Sequence, residues 1–255
     1  MRLAGVAVLL GAMFPGMALA QAQDAEHMKL STGLPISIED AAKIEKGSVD
    51  VKMRGYYDRL KENGGRNLFT LDPEFEVGVA DGLALKLSPA YRLGNAEDAQ
   101  QGDLELKAEY NILAPTQGRL GLSIEPVVAL PYGSGGKTTE AGASLRVTQP
   151  LGTSDTAPRL HVNLGWRHLF DPAPDERDNR FLKAAGVNVA VAPVTAVAFD
   201  VVREESKEDG KARNFVEAGV RHMLAEKLAV GAGVGVGFGP DSPRYRVLVG
   251  VQKSF

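Results

Sequence analysis

Arg244-Tyr-Arg-Val-Leu-Val-Gly-Val-Gln-Lys-Ser-Phe255 is the stretch that decides the fold of this chain. Successive side chains of a strand point to opposite faces, so Tyr245, Val247, Val249 and Val251 share one face. The stretch stops on an aromatic residue, Phe255. Ends of soluble domains tend to be polar and frayed. A closing strand with one apolar face, in a sheet that must leave no open edge, fits a bacterial outer-membrane β-barrel instead. In such a barrel the apolar face meets outer-membrane lipid. Phe255 is then expected to be read by the barrel assembly machinery of that membrane.

The rest of the chain repeats the pattern. Val49, Val51, Met53 and Tyr57 alternate with Asp50, Lys52, Arg54 and Asp58. Phe69, Leu71, Pro73, Phe75, Val77 and Val79 follow, with Asp72, Glu74 and Glu76 between them. Then come Leu83 to Leu93 around Lys86 and Arg92, Leu104 to Ile112 around Glu105, Lys107 and Glu109, and Leu120 to Tyr132 around Glu125. The second half keeps the rhythm at Leu145–Leu151, Leu160–Phe170, Phe181–Val191, Val197–Val201, Val216–Val220 and Leu228–Phe238. Period-2 alternation held over segments of about 10 residues is a strand signal. With the closing strand the count is about twelve, an all-β, antiparallel, up-and-down transmembrane barrel.

Loop lengths set the topology. Ala80-Asp81-Gly82, Ala114 to Gly118, Ala192 to Thr195 and Ala225-Glu226-Lys227 are short. They alternate with Gly94–Gly102, Gly133–Glu140, Asp171–Asn179 and Glu204–Arg213. Outer-membrane barrels have short periplasmic turns and longer external loops, so both ends of the exported chain are expected in the periplasm. Of the aromatic residues beyond residue 20, all but Tyr56 and Phe215 fall in the lipid-facing register. Most gather near the long-loop rim, as an aromatic girdle does.

The N-terminus reads as an export signal of a Gram-negative bacterium, residues 1–20. Arg2 gives a positive start, Leu3 to Leu10 an apolar run, and Ala18-Leu19-Ala20 a cleavage site. Residues 21–46 form a periplasmic segment that could plug the barrel, and 47–255 form the barrel. Ser37-Ile-Glu-Asp40 predicts the capped start of a short helix. Beyond residue 20, about 235 residues remain, with no Pro/Ser-rich linker. The net charge of −3 argues against nucleic-acid binding. The chain has no cysteine, and His27, His161, His168 and His222 are scattered, so neither a metal nor another cofactor is expected.

The segment Leu34-Pro-Ile-Ser-Ile-Glu-Asp-Ala-Ala-Lys-Ile-Glu-Lys-Gly47 carries a family signature. Its Pro35, Glu39-Asp40-Ala41 and Lys46-Gly47, followed by Asp72-Pro73-Glu74 and Ala80-Asp81-Gly82, resemble a family of outer-membrane proteins described as transporters of the meta-pathway of phenol degradation. Members more often show Tyr-Gly-Leu-Thr-Asp where this chain has Val77-Gly-Val-Ala-Asp81. The resemblance implies a barrel that passes aromatic or apolar small molecules.

On the inward face, a tight first hairpin sets Lys52 against Glu74 and Arg54 against Asp72, and the next turn sets Glu76 against Lys86. A hairpin centred on Thr116 sets Lys107 against Glu125. Facing opposite charges stabilise a sheet by about 0.2–1 kcal/mol each. Such charges balance a barrel interior or line a selective pore. Arg146, Arg159, His161 and Arg167 stand on strands six and seven without an inward acid, and Arg244 and Arg246 add charge on strand twelve. A narrow pore with a basic wall is therefore expected, facing the acids Asp72, Glu74, Glu76, Glu105 and Glu109. The glycines at 231, 233, 235 and 237 flatten one inner wall. They relieve crowding and let the barrel curve, or else leave a clear path or a groove for residues 21–47.

Pro73 and Pro89 break a rule, because proline donates no ladder bond. Placed opposite each other toward lipid, they predict a bulge or a weakened ladder between strands two and three, a lateral weak point through which apolar substrates could leave. A lipid-modifying enzyme would need a serine near His168, and the lipid-facing registers around Leu145 and Val187 hold none. A structural or adhesive barrel would call for long recognition loops, and these are short. The residues therefore point to a channel or transporter for small molecules, with no catalytic group.

Overall fold

The computed structural model describes residues 26–31, 33–61, 66–96, 99–115, 118–133 and 138–255. The expected export signal, with its Ala18-Leu19-Ala20 motif, lies outside the described residues. Twelve strands follow in chain order: β1 (Val49–Arg59), β2 (Asn67–Ala80), β3 (Leu83–Gly94), β4 (Gln101–Leu113), β5 (Gly121–Gly133), β6 (Glu140–Pro150), β7 (Arg159–Leu169), β8 (Asn179–Ala192), β9 (Thr195–Glu205), β10 (Ala212–Ala225), β11 (Leu228–Phe238) and β12 (Tyr245–Ser254). Each is antiparallel to its sequence neighbour, and β12 returns to pair with β1, closing the barrel.

The surface is inside out relative to a water-soluble protein. Met53, Phe75, Leu106, Phe199 and Val236 are exposed around the outside. Lys52, Arg54, Glu74, Glu125, Glu217 and Arg221 are buried within. Only hydrocarbon makes such a belt favourable, and only a closed barrel satisfies the backbone there. Tyr57 packs on Phe69 (4.7 Å between ring centroids) and Tyr245 (6.0 Å), and Tyr91 on Tyr132 (5.8 Å), as parts of an aromatic ring at the long-loop end.

Most of the expected register holds. Tyr57 faces Phe69, Lys52 faces Glu74, Arg54 faces Asp72, and Glu76 faces Lys86. The β4–β5 hairpin differs: Lys107 faces Val127, not Glu125. The turn is centred beyond Thr116, and an irregularity between Asn111 and Leu113 shifts the ladder.

Between β2 and β3 the ladder runs from Leu71↔Tyr91 directly to Phe75↔Leu87. The register is the same on both sides, so no residue is inserted. The prolines open a gap, not a bulge. From inside, Ser88 Oγ donates to the freed Pro73 oxygen at 3.1 Å, and Arg54 Nε adds a bond to the neighbouring Asp72 oxygen at 3.3 Å.

Candidate functional site

The segment before β1 lies across the barrel interior. After a 3₁₀ turn at Glu26–Met28, Met28, Leu30, Leu34, Ile36, Ile38 and Ala41 are all buried. Leu30, Ile36 and Ile38 pack with Ala184, Ala198, Val202 and Phe215 on the inner faces of β8 to β10. The other wall is the glycine ladder. A Cβ on Gly231 would stand 2.8 Å from Leu34 Cδ1, and one on Gly233 would stand 2.3 Å from the Pro35 oxygen. Gly231 and Gly233 thus form a groove that the segment fills, while Gly235 and Gly237 make room for Glu217 and for Ser242 and Pro243.

No helix starts at Ser37, because the barrel takes the backbone groups a helix would use. The N–H of Ser37 donates to Glu217 Oε2 (2.9 Å) and that of Ile38 to Asp200 Oδ2 (2.8 Å). Glu39 N–H donates to Asn163 Oδ1 (2.8 Å), Ala41 N–H to Thr148 Oγ1 (2.9 Å) and Ile44 N–H to Asn111 Oδ1 (2.9 Å). In the other direction, Asn163 Nδ2 donates to the Glu39 oxygen and Asn188 Nδ2 to the Met28 oxygen. Buried backbone groups must find partners. Here five N–H groups find them on β10, β9, β7, β6 and β4, so the segment is bound by side chains around the lumen and joins no ladder. At the short-turn end Lys46 N–H reaches Asp81 Oδ1 and Gly47 N–H the Gly78 oxygen. Burial holds the His27 imidazole below its usual range, with Arg159 and Arg221 adding to the effect. Burial pushes the Glu39 carboxyl up, against the pull of Arg146.

A lattice of ion pairs fills the side of β1 to β6. Glu74 accepts Lys52 (3.0 Å), Arg54 (3.2 Å) and Lys107 (3.3 Å). Lys52 also reaches Glu76 (2.8 Å), and Arg54 reaches Asp72 (2.8 Å). Lys86 pairs with Glu109 and with Glu125 (2.9 Å), and Lys107 with Glu105 (2.8 Å). Arg146 joins Glu125 (2.6 Å) and Glu109 (3.0 Å), and it binds Glu39 of the segment at 2.7 Å. Glu125 thus pairs diagonally, not with Lys107.

Most residues of the expected basic wall meet acids or polar groups of other strands. Arg146 is neutralised by three acids, because β4 and β5 carry Glu109 and Glu125 to it across the register. Arg246 is held bidentate by Asp58 (2.7 and 2.8 Å), with its guanidinium over the Phe215 ring at 4.1 Å. His161 bonds Thr148 and Asn188, both at 3.0 Å. Arg159 reaches the Asp155 oxygen at the short-turn end (2.9 Å). Arg244 precedes β12 and is exposed at the long-loop rim, where its N–H meets the Arg59 oxygen. Arg167 meets Glu105 only at 4.0 Å and donates to the Trp166 oxygen at 3.4 Å. Outside the barrel, His168 lies between Trp166 and Phe170 and approaches Asn179 at 3.3 Å.

On the long-loop side of the segment is a cavity of about 300 Å³. Ser37 and Glu39 form its floor, and Arg54, Asp72, Glu105, Arg167, Arg180 and Arg246 are among its walls. The polar seat of the segment on Asn111, Thr148, Asn163, Asp200 and Glu217 was not read from the alternation. The inward Phe215 and Tyr56 were the available signal: Phe215 packs on the segment and Tyr56 abuts Gly33.

No family model and no curated protein sequence matches the chain. Solved structures do. An outer membrane channel from Pseudomonas putida F1 aligns over 85% of this chain and 98% of its own, at 13% identity and a TM-score of 0.63. The KdgM porin aligns over 81% and 99%, at 16% identity and 0.53. The β domain of the Bordetella autotransporter BrkA aligns over 83% and 100%, at 13% identity and 0.54. At these identities the likeness is one of fold, and the fold this chain shares with them is the closed barrel of outer-membrane proteins.

Proposed function

We propose that this chain is an outer-membrane channel for small molecules, kept narrow by its own N-terminal segment. The short-turn rim faces the periplasm and the long loops face outward. One observation carries the reading. A polar lumen with a cavity of about 300 Å³ is floored by a segment that is tied in through side-chain hydrogen bonds and a glycine groove. A purely structural barrel needs no such removable seat. That two of the fold neighbours are named as a channel and a porin supports the reading. The family resemblance of residues 34–47 supports aromatic or apolar permeants.

Single-channel conductance of the refolded barrel in a planar bilayer, with and without residues 21–46, tests this. A small conductance that rises severalfold on deletion is expected. Silence in both forms, with the barrel folded, overturns the channel.

A further inference from the structure

The outer cavity is asymmetric. On β7 and β8 two guanidinium groups face each other, since Arg167 and Arg180 are register partners. Like charges directly opposite on a sheet destabilise it. Arg180 is fixed by Glu140, at 2.8 Å from Nε and 2.7 Å from Nη2, and its remaining arm reaches Glu204 only at 3.5 Å. Among the described residues the carboxylate that pairs with Arg167 is Glu105, 4.0 Å away and already held by Lys107 at 2.8 Å. Arg167 is thus a half-neutralised cation beside a positioned one.

Space and an apolar surface adjoin it. Ser144 faces Gly165 in the β6–β7 register, one position further in than Arg167, and these small residues leave room in the cavity. Leu182 and the buried Val202 line the same cavity. A planar guanidinium binds a carboxylate with two parallel N–H···O bonds, and a cavity of about 300 Å³ is at the lower end for small ligands.

We propose that this cavity binds a small organic carboxylate, with its anionic head on Arg167 beside Arg180 and its apolar body against Leu182 and Val202. The proposal deepens the channel reading and rests on it for the ligand's route. The ligand's carboxylate gives Arg167 a closer anionic partner than Glu105 at 4.0 Å.

Benzoate and its uncharged analogue benzamide are the probes, titrated calorimetrically into the folded barrel with its N-terminal segment in place. Benzoate is expected to bind, and R167Q to weaken it by about tenfold or more, as loss of a charge-assisted pair should. Benzamide is expected to bind poorly to both. Ser144→Leu keeps the charges and fills the space, so it should also abolish benzoate binding; it serves as the second variant if R167Q does not fold. Benzoate affinity in R167Q and S144L unchanged from that of the unsubstituted chain, or benzamide binding as tightly as benzoate, overturns the site. Liposome swelling separates this from the channel reading. Permeation of benzamide with no benzoate binding defeats the carboxylate site and leaves the channel standing. Benzoate binding without permeation of either solute upholds the site and defeats the channel.

Discussion

At the residue scale, Gly233 is the sharpest test of the seat. Its missing side chain lets the Pro35 carbonyl approach, and an alanine Cβ would sit 2.3 Å from that oxygen while meeting barrel backbone no nearer than 3.4 Å. Gly233→Ala should therefore displace the segment and spare the barrel. The expected readout is conductance rising toward that of the chain lacking residues 21–46, with unchanged heat-modifiable migration on gels. Arg146 is the corresponding test of the ion lattice. Removing one partner of a buried pair leaves uncompensated charge, and it costs about 3–5 kcal/mol. Arg146→Met removes the partner shared by Glu39, Glu109 and Glu125 and leaves Glu109 and Glu125 to share Lys86. It should lower the urea midpoint of unfolding in lipid far more than Arg244→Met at the exposed rim.

At the element scale, the β2–β3 gap is the irregular feature of the closed sheet. Pro73 and Pro89 remove two donors at facing positions, and Ser88 covers the freed Pro73 carbonyl. Replacing both prolines by valine restores two ladder bonds, each worth about 0.5–1.5 kcal/mol net. Slower amide exchange along Leu71–Phe75 and Leu87–Tyr91 should report it. A lateral exit here requires β2 and β3 to part. A disulfide between cysteines placed at the facing positions Phe75 and Leu87 would prevent that, and uptake of an apolar solute that continues at full rate through the oxidised barrel rules the exit out. Strand existence was legible everywhere, because each strand has a lipid face and a lumen face. Register was legible at the tight Ala80–Gly82 turn and failed at the longer β4–β5 turn, where more residues leave the centre of the hairpin open by one position.

At the scale of the whole molecule, the segment and the lumen form one electrostatic system. Asp200 and Glu217 face each other in register, and each spends one oxygen on a segment N–H. Deleting residues 21–46 exposes both carboxylates to the lumen without removing any barrel cation. The truncated pore should then favour cations more than the intact one, as acidic rings do, and Asp200→Asn with Glu217→Gln should cancel that change. Reversal potentials in a salt gradient measure it. An unchanged reversal potential on deletion would mean that these acids do not face the permeation path.

The chain's own sequence determined the twelve strands, their closure, the lipid-facing side of each and the long-loop aromatic ring, because lipid on one side and water on the other impose period 2 residue by residue. Tertiary structure alone decided which lumen charges neutralise one another and what lies in the middle. Arg146 meets Glu109 and Glu125 only once β4 to β6 curve round to bring them together. Ser37–Asp40 stays non-helical only because acceptors from β7, β9 and β10, distant in sequence, converge on its N–H groups. Such partners are set by closure of the barrel, which no local pattern records.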